Sequence, residues 1–374
     1  MYINFWYPIC RSVELGSEQP LRSELLGLTF VAFRDSDGTP HVLADVCVHR
    51  GGSLSKGKIV DDCVACPYHG WRFGGDGKCK LIPAQEPGAK PPGRAKVDSY
   101  PVEERYGIIF AFLGDLPKEE RPPLYEIEEY NDPAWREHEM VILEIDCYYE
   151  RSMENGVDPV HNEFVHPAQG SPQAIPGTVE LHESEWGSGV TGRYTEVGKK
   201  RTDKAGMESD PAELNAGTWT HGPNTLITWI TFKKTASLHQ YFFEAPINSN
   251  HTKIYFINVR NFRLEEKYDE SIRSANMYVT SEDISILENL RPAVTPDSRS
   301  REILTEGDKA IVRYRDFLDG WDVRGWRLDW KTMQANKDDV AYAIPCPARR
   351  GSSNWVLETV PLQPADTISS VSTG

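Results

Sequence analysis

The sequence predicts an α+β protein in which a small all-β domain precedes a larger domain of antiparallel sheet and helices. Two changes of rhythm along the chain support this. From Leu25 to about Asp115, short alternating or apolar runs ("LTFVAF", "HVLADV", "KIVDDCVAC", "GIIFAFL") are cut by Gly, Pro and Asp, as in a small antiparallel β domain. "GDLPKEERPPL" (Gly114–Leu124) then reads as a charged, proline-rich exit linker. Beyond it, "MVILEI" reads as a strand and "CYYERSMENGVDPVHNEFVH" as helix with a proline inside. "TLITWITF", "HQYFFEAP" and "KIYFINVR" follow as strands, and residues 265–290 have the apolar spacing of a long helix. The division expected is 1–118 and 119–374, with no internal repeat and with "TISSVSTG" as a loose tail.

Composition narrows the function. A chain of 374 residues that is 39% hydrophobic suits two folded domains. The net charge of −15 disfavours nucleic acid as a partner, because phosphate binding needs a basic face. The apolar run Ile108–Leu113 is too short to cross a bilayer, and "MYINFWYPIC" has neither the basic flank nor the apolar core of a signal peptide. A soluble cytoplasmic protein with no membrane contact is expected. The seven cysteines are scattered and odd in number, which argues for reduced thiols, some available as ligands. Charge is also uneven: Val48–Lys96 holds nine basic residues against four acidic ones, a local +5 that could dock an acidic partner.

That island surrounds two short motifs. Cys47 and His49 form CxH, Cys66 and His69 form CxxH, and sixteen residues separate the pairs. By ligand identity alone, these four could hold a tetrahedral zinc or an iron–sulfur cluster. Gly51 and Gly52 after the first pair, and Pro67, Gly70 and Trp71 around the second, suit two tight loops over a cluster. CxH, sixteen residues and CPYHGW together resemble the Rieske signature, in which two Cys hold one iron of a [2Fe–2S] cluster and two His the other. Cys63 and Cys79 fall outside the pattern and read as ordinary thiols.

A second constellation lies in "MENGVDPVHNEFVH". His161 and His166 stand five apart, and Asp158 precedes the first by three, one helical turn. A bend at Pro159 could turn His166 toward the same point. Two imidazoles and a carboxylate in cis positions make the facial triad of non-haem Fe(II) oxygenases.

In one chain, the two constellations resemble the oxygenase component (α subunit) of Rieske non-haem iron oxygenases, nearest to the homotrimeric monooxygenase and demethylase branch. The resemblance implies a helix-grip (START-like) catalytic domain and a Rieske [2Fe–2S] cluster on Cys47, His49, Cys66 and His69. It implies a mononuclear Fe(II) on His161 and His166, with Asn155 nearby, and a third ligand in "SEDISILENL", where Asp283 matches best and Glu282 and Glu288 compete. It implies that Asp158 bridges the two centres, accepting one N–H from an iron-binding histidine and one from His69 of the neighbouring subunit.

No NAD or flavin motif is apparent, since "RFGGDGK" lacks a strand-to-helix phosphate context. Electrons are therefore expected from a separate ferredoxin or flavin-containing reductase. The expected reaction is O₂-dependent hydroxylation or demethylation of an apolar aromatic, alicyclic or N/O-alkyl molecule, with cis-dihydroxylation second and a non-catalytic electron carrier as the reading from another class. Trp229, Phe243, Tyr255 and Asn258 are the candidate pocket residues.

Overall fold

The protein, seen in a computed structural model, is described for residues 1–196, 214–232, 235–296 and 298–365. The "TISSVSTG" tail lies outside the described residues. Two units emerge, one of residues 1–124 with 321–374 and one of residues 125–320.

The first unit is built from short antiparallel sheets. Ile108–Leu113, buried at every position, is flanked by Phe5–Arg11 and Val102–Arg105, so the unbroken apolar run is a central strand. Leu28–Arg34 pairs with Leu21–Leu25 and Pro40–Ala44. The "KIVDDCVAC" run is the hairpin Lys58–Val60/Cys63–Ala65, and Asp61 and Asp62 turn it at φ +49° and +57°. Two successive positive φ values are what a two-residue hairpin turn requires.

The expected single second domain running to the C-terminus is corrected. Trp321 onward belongs to the first unit. The Trp321 and Trp326 rings meet Phe5 edge-on, and Leu328 N–H donates to Met1 O at 3.0 Å. Arg349 of "AIPCPARR" makes a two-pronged contact with Asp98, at 2.6 and 2.7 Å. Asp98 is fully buried, so losing Arg349 would strand a charge in the interior.

The second unit is a nine-stranded sheet with helices. Its central run is Gly187–Glu196, Leu214–His221, Thr225–Phe232, Ala236–Asn248 and His251–Arg260, all antiparallel neighbours. Val141–Ile145 pairs with the last of them. The predicted helix with a proline inside is two helices, α1 (Tyr149–Val157) and α2 (His161–Val165), broken at Asp158–Pro159. The proline has no N–H to continue the ladder and pushes the residue before it out of the helical region. The predicted long helix is α3 (Asp269–Leu287), and α4 (Lys309–Val323), which periodicity did not single out, leads the chain out of this unit.

α1 lies close against the sheet. A Cβ at Gly156 would fall 2.1 Å from Leu226 Cδ2, so the approach of α1 depends on having no side chain there. α1 is also tied down from its other side: Arg315 of α4 donates to Glu154 at 2.6 Å and to Glu302 at 2.7 Å, and Arg151 donates to Glu302 at 2.7 Å. The four charges form one largely buried network in which each carboxylate has an arginine partner, so α1 is held rigidly.

Candidate active site

In the first unit, residues 47–52 and 66–71 form two loops closed in the same way. Cys47 N–H donates to Gly52 O and Gly51 N–H to Cys47 O, both at 2.8 Å. Cys66 N–H donates to Trp71 O at 2.8 Å and Gly70 N–H to Cys66 O at 2.9 Å. Gly51 and Gly70 occupy equivalent places, each at φ +70°. Gly52 has no Cβ to press on Cys66 Sγ, which would lie 3.0 Å from it.

The loops sort their ligands by depth. Cys47 and Cys66 are buried, whereas His49 and His69 are exposed, with His49 stacked on Trp71 at 4.5 Å and meeting His69 edge-on at 4.5 Å. Burial, next to Cys66, pushes the Cys47 thiol up to about 12. Sulfurs held this way become thiolates only when metal replaces their protons. Two inner sulfurs and two outer imidazoles on opposed loops fit a [2Fe–2S] cluster with its histidine side toward solvent. Cys63 and Cys79 are buried free thiols outside these loops.

In the second unit, the break after α1 sets up the other centre. His161 Nδ1 lies 2.6 Å from the main-chain carbonyl of Asp158. A carbonyl can only accept, so Nδ1 carries the proton and the Nε2 lone pair is free. His166, at the end of α2, places Nδ1 3.2 Å from Glu282 Oε2, so Nδ1 carries a proton and Nε2 is the nitrogen turned toward His161 and Asp283. The two Nε2 atoms are 3.2 Å apart, and Asp283 Oδ1 on α3 lies 3.3 Å from His166 Nε2 and 3.6 Å from His161 Nε2. Asn155 of α1 donates to that same Asp283 oxygen at 3.0 Å.

Two ring nitrogens and a carboxylate oxygen thus converge, an arrangement that a cation would stabilise. Ligand bonds of about 2.1 Å in cis positions put donor atoms about 3 Å apart. The triangle of His161, His166 and Asp283 fits a mononuclear Fe(II), which these three residues would hold. Burial lowers the His161 pKa, while for His166 burial is outweighed by Asp283 and Glu282, which raise it.

The competing carboxylates are placed elsewhere. Glu282 faces the Nδ1 side of His166 and orients the ring, and Glu288 accepts Asp146 N–H at 3.2 Å. Asp158 also departs from expectation: its carboxylate Oδ1 accepts Val160 N–H at 2.8 Å, and its contact with His161 is through the main-chain carbonyl.

A cavity of about 610 Å³ opens from this centre between the sheet and α3. Its walls are mainly aliphatic and aromatic, among them Leu226, Ile230, Leu238, Phe242, Ile254 and Ile284. Of the four candidate pocket residues, none lines it. Trp229 pairs with His239 on the other face of the sheet, where it stacks on Trp219 at 5.5 Å; Phe243 and Tyr255 pair with Thr225 and with each other on that same face. Asn258 shares the inner phase with Gln240 but is fully buried and outside the lining. With a period of two, an error of one residue moves a whole set of side chains to the opposite face.

The sequence reading missed Ser152, Gln240 and Glu244, which do line the cavity. A signal existed: Gln240, Phe242 and Glu244 alternate in "HQYFFEAP", placing polar residues on the phase of the core.

Comparison with known proteins now adds to the geometry. Residues 5–101 match the Rieske [2Fe-2S] domain and residues 145–323 the vanillate O-demethylase oxygenase C-terminal domain. Methylxanthine N1-demethylase NdmA of Pseudomonas putida is 29% identical, with 84% of this chain and 88% of that protein covered. Its structure with caffeine has a TM-score of 0.69 at 26% identity, over 86% of this chain and 91% of that one. Chlorophyllide a oxygenase of Chlamydomonas reinhardtii is 28% identical over 85% of this chain, which spans 48% of that protein. The oxygenase component of 3-ketosteroid-9-alpha-monooxygenase from Mycolicibacterium smegmatis is 30% identical over 61% of this chain and 58% of that protein. Its two cysteine–histidine loops fall within the first matched domain and its histidine–carboxylate centre within the second, and the chain belongs to the Rieske non-haem iron oxygenases, as an oxygenase component.

Proposed function

We propose that the protein is a cytoplasmic terminal oxygenase that takes electrons from a separate ferredoxin or flavin-dependent reductase and uses O₂ to hydroxylate or oxidatively demethylate an apolar aromatic, alicyclic or N/O-alkyl molecule. The observation that carries the reading is the His161, His166 and Asp283 triangle at one end of a mainly apolar cavity of about 610 Å³. When bound, the cluster would supply single electrons and the Fe(II) the activation of O₂. The chain's own contribution is to hold and exclude. Asp158 O and Glu282 fix the tautomers of the two histidines, Asn155 holds Asp283, and the aliphatic walls keep water from the substrate. Among the described residues, no helix is long and apolar enough to cross a membrane.

The family resemblance supports a homotrimer in which His69 of one chain faces Asp158 of the next. With one carboxylate oxygen already holding Val160 N–H, Asp158 is fixed in orientation to accept such a proton at the other. The test is turnover with a surrogate ferredoxin and reductase over a panel of ring and N- or O-methyl compounds. Hydroxylated or demethylated product supports the reading, whereas cis-diols as the main product contradict it.

The donor is proposed to dock near the exposed histidines. Within the basic island, Arg72 is paired with Asp61, and Lys78 and Lys80 with Asp76. Lys56 and Lys58 are exposed beside the first loop. Lys56→Glu with Lys58→Glu is expected to slow cluster reduction by ferredoxin roughly 10-fold at low salt, an effect that fades as salt rises. Stopped-flow reduction at two ionic strengths checks it, and unchanged rates would contradict it.

A further inference from the structure

Among the described residues, the cavity lining holds one carboxyl side chain that the metal centre does not use. Glu244 lies on the strand Ala236–Asn248, fully buried, and lines the cavity wall. Ser152 Oγ donates to its Oε1 at 2.7 Å, whereas its Oε2 is buried with no hydrogen-bond partner. Its strand neighbours satisfy only its backbone: Glu244 N–H donates to Asn224 O at 2.8 Å, and Asn224 Nδ2 donates to Glu244 O at 3.0 Å.

A buried carboxylate with a bare oxygen and no cation beside it is costly, and a buried carboxylic acid is far less so. Burial pushes the Glu244 carboxyl up to about 8, against the lowering effect of Ser152. Because the Ser152 hydroxyl donates to Oε1, the proton of the neutral acid sits on Oε2, the atom that still needs a partner. An anionic group brought there would be desolvated with no Lys or Arg among the described lining residues to offset it. A carbonyl oxygen, uncharged and purely accepting, fits.

Ser152 also links Glu244 to the helix that supports the metal centre. It lies one turn before Asn155 on α1, and Asn155 holds the Asp283 ligand oxygen. Side chains three apart on a helix are neighbours, so Ser152, which holds Glu244, and Asn155, which holds Asp283, line the same side of the cavity.

We propose that Glu244, as a neutral acid, donates a hydrogen bond from Oε2 to a carbonyl oxygen of the substrate, so that the cavity selects an uncharged, largely apolar molecule carrying a carbonyl group. Glu244 is then a specificity-determining residue. This rests on the reading of the cavity as the substrate site, and it goes further by naming the functional group recognised.

Calorimetric titration of the metal-loaded protein under nitrogen with tetralin, β-tetralone and the matching protonated β-amine tests it. β-Tetralone is expected to bind roughly 10-fold tighter than tetralin, the worth of one buried hydrogen bond. Glu244→Gln keeps that preference, because the carboxamide donates from Nε2 and accepts from Ser152 at Oε1; Glu244→Leu abolishes it. The infrared band of a protonated carboxyl should shift on adding the ketone and be missing from Glu244→Gln. Equal binding of ketone and hydrocarbon by the natural protein, or a preference that survives in Glu244→Leu, overturns the inference and leaves the cavity reading standing. Tighter binding of the amine, lost in Glu244→Gln, overturns it in favour of an ionised carboxylate. If none of the three binds, the cavity reading falls and the inference with it.

Discussion

Asp158→Asn is expected to lower turnover by roughly 100-fold while both metal centres stay loaded. Two of its contacts explain why the centres survive. The Val160 N–H bond at 2.8 Å can be kept by the Asn carbonyl, and the main-chain carbonyl that fixes His161 does not depend on the side chain. What is lost is the negative charge and one acceptor oxygen, the features proposed to receive His69 of the neighbouring subunit. With its carbonyl on Val160 N–H, Asn presents only an N–H donor there, and no charge to stabilise a protonated partner. Steady-state product formation together with iron and sulfide content checks the expectation. Normal product formation by this variant would remove Asp158 from the bridging role.

Asp283→Ala is expected to have the larger effect on metal. Its Oδ1 is the one carboxylate oxygen within 3.6 Å of both His161 Nε2 and His166 Nε2 among the described residues. Removing it takes away the only charge in the triangle and strands the Asn155 amide, so Fe(II) affinity should fall by more than about 100-fold and turnover should vanish. Glu282→Ala should cost less, about 10-fold, because Glu282 acts through the far nitrogen of His166. Glu288→Ala should leave the iron in place. Iron retained after Fe(II) loading and gel filtration gives the order directly. Greater loss from Glu282→Ala than from Asp283→Ala would overturn the ligand assignment.

Local features of the fold and both candidate metal-binding motifs are legible in the amino-acid sequence. The strand "TLITWITF" and the break of one helix at Pro159 follow from local pattern, because period-two apolarity and a missing N–H act on neighbouring residues alone. The two cysteine–histidine loops are legible because each loop's ligands and glycines lie within six residues. What escapes is long-range. The return of Trp321 onward to the first unit rests on contacts such as Asp98 with Arg349, which no local window contains. The choice of Asp283 over Glu282 depends on which side of His166 each reaches, a matter of one helical step. The pocket residues are misplaced for a related reason: aromatic size draws the reading to Trp229 and Phe243, while phase assigns the cavity to Thr228, Ile230, Phe242 and Glu244.

That two unlike metal centres share one chain is most directly tested by iron and acid-labile sulfide on protein purified without oxygen. The account predicts about three irons and about two sulfides per chain, a [2Fe–2S] cluster and one mononuclear iron. About two irons with two sulfides, persisting after Fe(II) is added back, would show that His161, His166 and Asp283 hold no metal and would contradict the account.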